Sequence, residues 1–176
     1  LEFRAQKPGT EKSVRLLQVL RSKLKSNLAA QAEKVTVVET PDLEGTVASE
    51  KEQLEQDLAR AESEFIDFFG PALLNGKQLS RAGTRPPTNQ SPNWAVTLSF
   101  NSEGADKFAE LTKSIAGTER LLGIFLDGIP IQEATVGSQF EVAGITGGGA
   151  EITGRFTPQE ANDLADLING GALPLP

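Results

Sequence analysis

The stretch LLGIFLDGIPIQEATV, residues 121–136, sets Asp127-Gly128 between two apolar runs. That dipeptide tolerates the positive φ values of a tight primed turn, so the two runs are expected to fold back on one another as antiparallel strands. Asp127 therefore reads as a turn residue and not as a catalytic acid. NWAVTLSF at 93–100 alternates strongly enough to be a further strand with one buried face. LEFRA at 1–5 and residues 150–153 add short strands. With the helices below, this is an α+β chain in which helices cover an antiparallel sheet.

Four helices are expected. The first spans about 10–33, with Val14, Leu17, Leu20, Leu24 and Leu28 on one face and Lys12, Arg15, Arg21, Lys23 and Lys25 making the exposed side basic. The second begins at Ser49, whose hydroxyl forms a capping box with Glu52, and runs to about Phe69. It is acidic through Glu50, Glu52, Glu55, Asp57, Glu62, Glu64 and Asp67. A charge-paired helical hairpin results, which serves either as plain structure or as a docking surface. VTVVE at 35–39 reads as a strand, and 41–45 as a turn-rich break. Residues 71–92 read as irregular, with a Pro-rich connector. A third helix carries Ala105, Phe108, Leu111, Thr112 and Ile115 and stops at Gly117 in the left-handed conformation. The fourth starts at Thr157-Pro158-Gln159-Glu160, buries Ala161, Leu164, Ala165 and Ile168, and ends at Gly170-Gly171.

Composition narrows the chemistry. The 176 residues contain no Cys and no His, which removes thiol nucleophiles, disulfides, imidazole acid–base catalysis and the two commonest zinc ligands. A net charge of −7 disfavours nucleic acid or an anionic membrane surface except through a local patch. No run approaches the roughly 18 apolar residues needed to span a bilayer. Both ends fall inside or beside structured elements, so the chain reads as an excised piece.

No chemical motif stands out. The glycine run at 144–149 lacks the helix that must follow a phosphate loop, because a strand follows instead. The acidic residues lie on solvated helix faces, not in a recognisable carboxylate pair. Trp94, Phe65, Phe68 and Phe69 fit a core better than a ligand platform, although exposed Phe side chains there would offer a patch for apolar polypeptide. No catalytic residue, cofactor or metal is assigned.

The segments ALLNGKQLSRA, NWAVTLSFNSEGADKFAELT, LLGIFLDGIPIQEATV and above all ITGRFTPQEANDLADLINGGALPLP, in this order, resemble the first large extracytoplasmic domain of the SecD family, membrane subunits that assist the Sec protein-export channel. LEFR fits the strand preceding that family's inserted lobe. Residues 7–70 have no counterpart in the pattern.

The resemblance implies a periplasmic head lobe plus part of a ferredoxin-like base. On that pattern residues 1–6 and 149–176 belong to the base, which lacks its early strand and helix and so exposes apolar surface. Residues 7–148, with a hairpin over 10–69, form the head. The tail ALPLP becomes the lead-in to a transmembrane helix. It further implies a multi-pass parent in the plasma membrane, with this domain on the outer, periplasmic side. The implied partners are unfolded preprotein, SecF and the SecYEG channel, and the task is non-enzymatic, proton-gradient-dependent export. Gln6, Lys7 and Pro8 on one strand and Gly147, Gly148 and Gly149 on the other are candidate hinges between head and base. The rival reading is a porter-like periplasmic domain of an efflux transporter, marked by a lined apolar cleft; a carboxylate-only enzyme is a remoter one.

Overall fold

A computed structural model describes residues 1–35 and 41–172. The chain divides into two compact units, Lys7–Phe69 and Leu1–Gln6 with Gly70–Pro176.

The first unit is a helical hairpin of α1 (Glu11–Val35) and α2 (Pro41–Asp67). Val14 and Leu24 of α1 and Ala61 and Phe65 of α2 are buried, and the Phe65 and Phe69 rings lie 5.1 Å apart. The Arg21 guanidinium sits 4.0 Å from the centre of the Phe65 ring. Glu62 pairs with Lys25 at 2.9 Å and lies 3.9 Å from Arg21, so the opposite charges of the two helices meet across the hairpin as expected. The start of α2 differs from the expected one: the helix begins at Pro41, and Ser49 and Glu52 lie inside it. Proline suits the first helical position, where its missing N–H has no partner to lose, and one interior glycine costs only about 1 kcal/mol. The expected strand at 35–39 is not found at Val35, which ends α1, and its remainder lies outside the described residues.

The second unit holds two antiparallel sheets. One has the order β2 (Leu74–Asn75), β1 (Glu2–Ala5), β5 (Leu121–Leu126), β6 (Ile129–Thr135). The other has the order β3 (Leu79–Arg85), β4 (Trp94–Phe100), β7 (Gly149–Phe156). The β5–β6 turn has Asp127 at φ 50° and Gly128 at φ 80°, the primed geometry expected of Asp-Gly. α3 (Ser102–Ile115) and α4 (Pro158–Ala172) complete the unit. Phe3 of β1, Phe100 of β4 and Phe108 of α3 meet at centroid distances of 5.0 to 5.8 Å and join the two sheets in one core.

Three further boundaries differ from expectation. β3 occupies part of the stretch read as irregular; its burial does not alternate, and the strand depends on pairing with β4 and on the Asn169 carboxamide. That side chain accepts from Ala82 N–H at 2.8 Å and donates to Ala82 C=O at 3.0 Å, completing the outer edge. β7 extends past Thr153 to Phe156 because the register continues along β4 as far as Trp94. α4 continues through Gly170 to Ala172 instead of ending there. Its start is as expected: Thr157 N–H donates to Glu160 at 2.8 Å and Glu160 N–H to Thr157 Oγ1 at 3.2 Å.

Candidate functional site: a cleft between two sheet edges

β6 ends one sheet and β7 ends the other. Between them opens a cleft of about 500 Å³, lined on its apolar side by Leu98, Phe108, Leu122, Ile124, Val136 and Ile145. Thr97, Gln132, Thr135 and Glu151 bring polar groups to it. Gln132 Nε2 of β6 donates to Thr153 Oγ1 of β7 at 3.4 Å, a side-chain contact between the two edges.

The cleft is held open by the way its walls are fastened. Thr112, fully buried in α3, donates to Phe108 C=O at 2.7 Å and accepts from Ile145 N–H at 2.8 Å, which ties the loop before β7 onto the helix. Gly144 makes that approach possible: its φ is 70°, and a Cβ there would stand 1.8 Å from Ala109 C=O. Phe100 N–H donates to Gly148 C=O at 2.7 Å and anchors the other end of the loop. At the rim, Arg85 grips Glu151 through Nε at 2.8 Å and Nη2 at 2.9 Å. This bidentate contact holds the Glu151 carboxyl below its ordinary range.

The cleft gathers no pair of carboxylates, and among the described residues no cluster of three or more acidic side chains could hold a metal. Two strand edges flanking an apolar floor can receive an extended chain, whose backbone pairs with an edge while alternate side chains enter the cleft.

The candidate hinge residues fall in two different settings. Gln6 is fully buried at the end of β1: its N–H donates to Leu121 C=O at 2.9 Å, its Oε1 accepts from Leu121 N–H at 2.9 Å, and its C=O accepts from Arg120 Nε at 2.7 Å. Lys7 opens the hairpin unit, with its N–H on Phe68 C=O at 2.8 Å and Nζ on Asp67 C=O at 2.7 Å, and Pro8 is exposed. The unit boundary thus passes between Gln6 and Lys7. Gly147 and Gly148, at φ 111° and 72°, lead into β7 within the larger unit, and Gly149 is its first residue, paired with Ser99 of β4. Of the phenylalanines weighed as a polypeptide platform, Phe65 and Phe69 are buried and Phe68 is half-buried. The convergence of the lining residues is not legible in the sequence, because it depends on which strands become sheet edges, and only the topology decides that.

The chain is an α+β domain of two antiparallel sheets and covering helices around an open apolar cleft, and comparison with known proteins supplies its family. Residues 51–175 match the model of the SecDF P1 head subdomain. The protein translocase subunit SecD of Prochlorococcus marinus is 42% identical over 193 aligned positions, covering all of this chain and 39% of the relative. SecD of Synechocystis sp. is 42% identical over 177 positions, again over the whole chain and 36% of the relative. A solved structure described as a membrane component SecDF that enhances protein export superposes with a TM-score of 0.58 at 29% identity, covering 99% of this chain and 64% of that one. The chain belongs to the SecD family and contains its P1 head subdomain. It spans less than two fifths of the length of these curated relatives. An apolar cleft is also what the efflux-porter reading anticipates; the family match sets the chain with SecD instead.

Proposed function

We propose that this chain is the extracytoplasmic P1 domain of a plasma-membrane SecD subunit, and that it assists protein export by holding the emerging polypeptide, without enzymatic chemistry. The observation that carries the reading is the cleft of about 500 Å³ between two free strand edges, in a chain of SecD kinship. An unfolded client offers the complement: unpaired backbone amides and alternating apolar side chains. In this reading SecF and the SecYEG channel are partners of the parent protein, and the proton gradient drives motion of the domain so that each grip biases the client outward. Gln6, Lys7 and Pro8 form one candidate pivot and Gly147, Gly148 and Gly149 another. Substituting the glycines with Val is a poor test of the second pivot, because positive φ at Gly147 and Gly148 would strain any side chain there.

The direct test is photocrosslinking in the full-length parent from positions 134 and 150, which line the cleft, to a stalled secretory chain. Adducts from both are expected, with none from position 167 on the exposed face of α4. Ala134→Trp, which fills the cleft, should lower export at unchanged protein level. Export at the wild-type rate together with no adduct from either cleft position would remove the reading.

A further inference from the structure

The backbone of β7 meets the cleft with a fixed pattern of hydrogen-bonding groups. The bond from Phe100 N–H to Gly148 C=O, at 2.7 Å, sets the phase of the ladder that follows, through Ser99↔Gly149, Leu98↔Ala150, Thr97↔Glu151, Val96↔Ile152 and Ala95↔Thr153. Hydrogen-bonded and non-hydrogen-bonded pairs alternate along an antiparallel ladder, so Ala150 and Ile152 turn their N–H and C=O groups to β4. Gly149, Glu151 and Thr153 aim theirs away from β4 at the open edge, where they have no backbone partner among the described residues. β6 is a poorer template: Pro130 has no N–H to offer, and the register skips Ile131 between Pro130 and Gln132. The relative direction of the two edges also follows. Gln132 touches Thr153, while Thr135 and Val136 line the cleft together with Gly149 and Ala150, so β6 and β7 run antiparallel across the gap. A parallel run would set Thr135 opposite Phe156, roughly 20 Å along the strand from Gly149.

We infer that the client adds to β7 as a further, antiparallel strand of its sheet, pairing with Gly149 and Glu151; this rests on the reading of the cleft as a client site. The bound chain then has one polarity: it runs from the Thr153 end to the Gly149 end, parallel to β6. Antiparallel pairing is the more stable kind per residue, and β7 has the uninterrupted edge. At the Thr153 end the Gln132 side chain crosses the gap, which confines pairing to the other two residues. The client residue opposite Ala150 places its side chain on the face of Ala150, over Leu98, Phe108 and Ile145, and must be apolar. Its two neighbours, opposite Gly149 and Glu151, point to the other face, where Arg85 already neutralises Glu151, and can be polar. What is recognised is thus a polar–apolar–polar triplet read in one direction. A gap that one Gln side chain spans admits a single strand and not the sheet of a second copy. An aliphatic ligand would cover the floor but leave the backbone groups of Gly149 and Glu151 without a protein partner.

The test titrates the 176-residue chain with a short peptide alternating Ser and Val, followed by amide NMR. Shifts at Ala134 and Ala150 place the peptide in the cleft. With Val over the floor, the Ser amides face β7 and the Val amides face β6. N-methylation of the Ser amides should weaken binding about tenfold, and N-methylation of the Val amides should change it by less than about threefold. A nitroxide on the peptide's C-terminus should broaden the Gly148 amide more than that of Thr153, and one on its N-terminus the reverse. A larger loss on methylating Val, or nitroxide patterns that are exchanged or equal, would overturn the edge and the polarity while leaving the client site standing. No shift at either alanine would overturn both. A concentration-dependent dimer that the peptide disperses, or a fatty acid that it cannot displace, would assign the edge or the floor to another occupant and overturn the proposal as well.

Discussion

Thr112 shows how one hydroxyl can set the shape of a cleft. Its Oγ1 joins α3 to the loop before β7 by donating to Phe108 C=O and accepting from Ile145 N–H, and none of this group is exposed to water. Thr112→Val keeps the volume but leaves Ile145 N–H without its acceptor, which should cost about 1–3 kcal/mol in urea unfolding. Thr112→Ser should recover most of that, and an unchanged Val variant would show that the loop is held otherwise. The helical position of Thr112 is legible in the sequence from its spacing with Phe108 and Ile115. Its second bond is not, because the partner lies 33 residues further on, in a loop whose path depends on the close approach allowed at Gly144.

At the scale of elements, local signals are readable where capping or turn chemistry fixes the backbone and fail where a neighbour supplies the reason. The Asp127-Gly128 turn and the Thr157-Pro158 start of α4 are in the sequence because each is satisfied within a few residues. β3 is not, since Asn169, 87 residues from Ala82, completes its edge. The same contrast shapes pH dependence. Glu160 titrates below its ordinary range because the Thr157 backbone N–H and hydroxyl hold its charged form, and Glu151 does so because of Arg85. A depressed folded pKa contributes stability that is fully present above the unfolded value of about 4.3 and is lost as pH falls through the folded value. The urea midpoint should therefore hold steady down to about pH 5 and decline below it. Glu160→Gln and Glu151→Gln should each flatten that decline, and identical slopes for variants and wild type would assign the acid sensitivity elsewhere.

At the scale of the whole chain, the division into units makes the hairpin an insertion into a continuous sheet. The chain leaves the larger unit after Gln6 and returns at Gly70, and Gly70 N–H donates to Ala5 C=O at 2.9 Å. The two cut ends are therefore neighbours within that unit, and the core residues Phe3, Leu74, Leu122 and Ile168 come entirely from it. Replacing Lys7–Phe69 by a short Gly-Ser linker should leave a protein that unfolds cooperatively, with an unfolding free energy within about 1 kcal/mol of the parent's transition for this unit, because closing a short loop between adjacent ends costs little. Such a variant should also retain the cleft and its client adducts in the full-length setting. The converse piece, residues 7–69 alone, buries only a thin seam between two helices and should be marginal in isolation. A deletion variant with a dispersed amide spectrum would establish that the cleft-bearing unit folds by itself, and one that exposes its core to hydrophobic dye would mean that the hairpin is part of its fold.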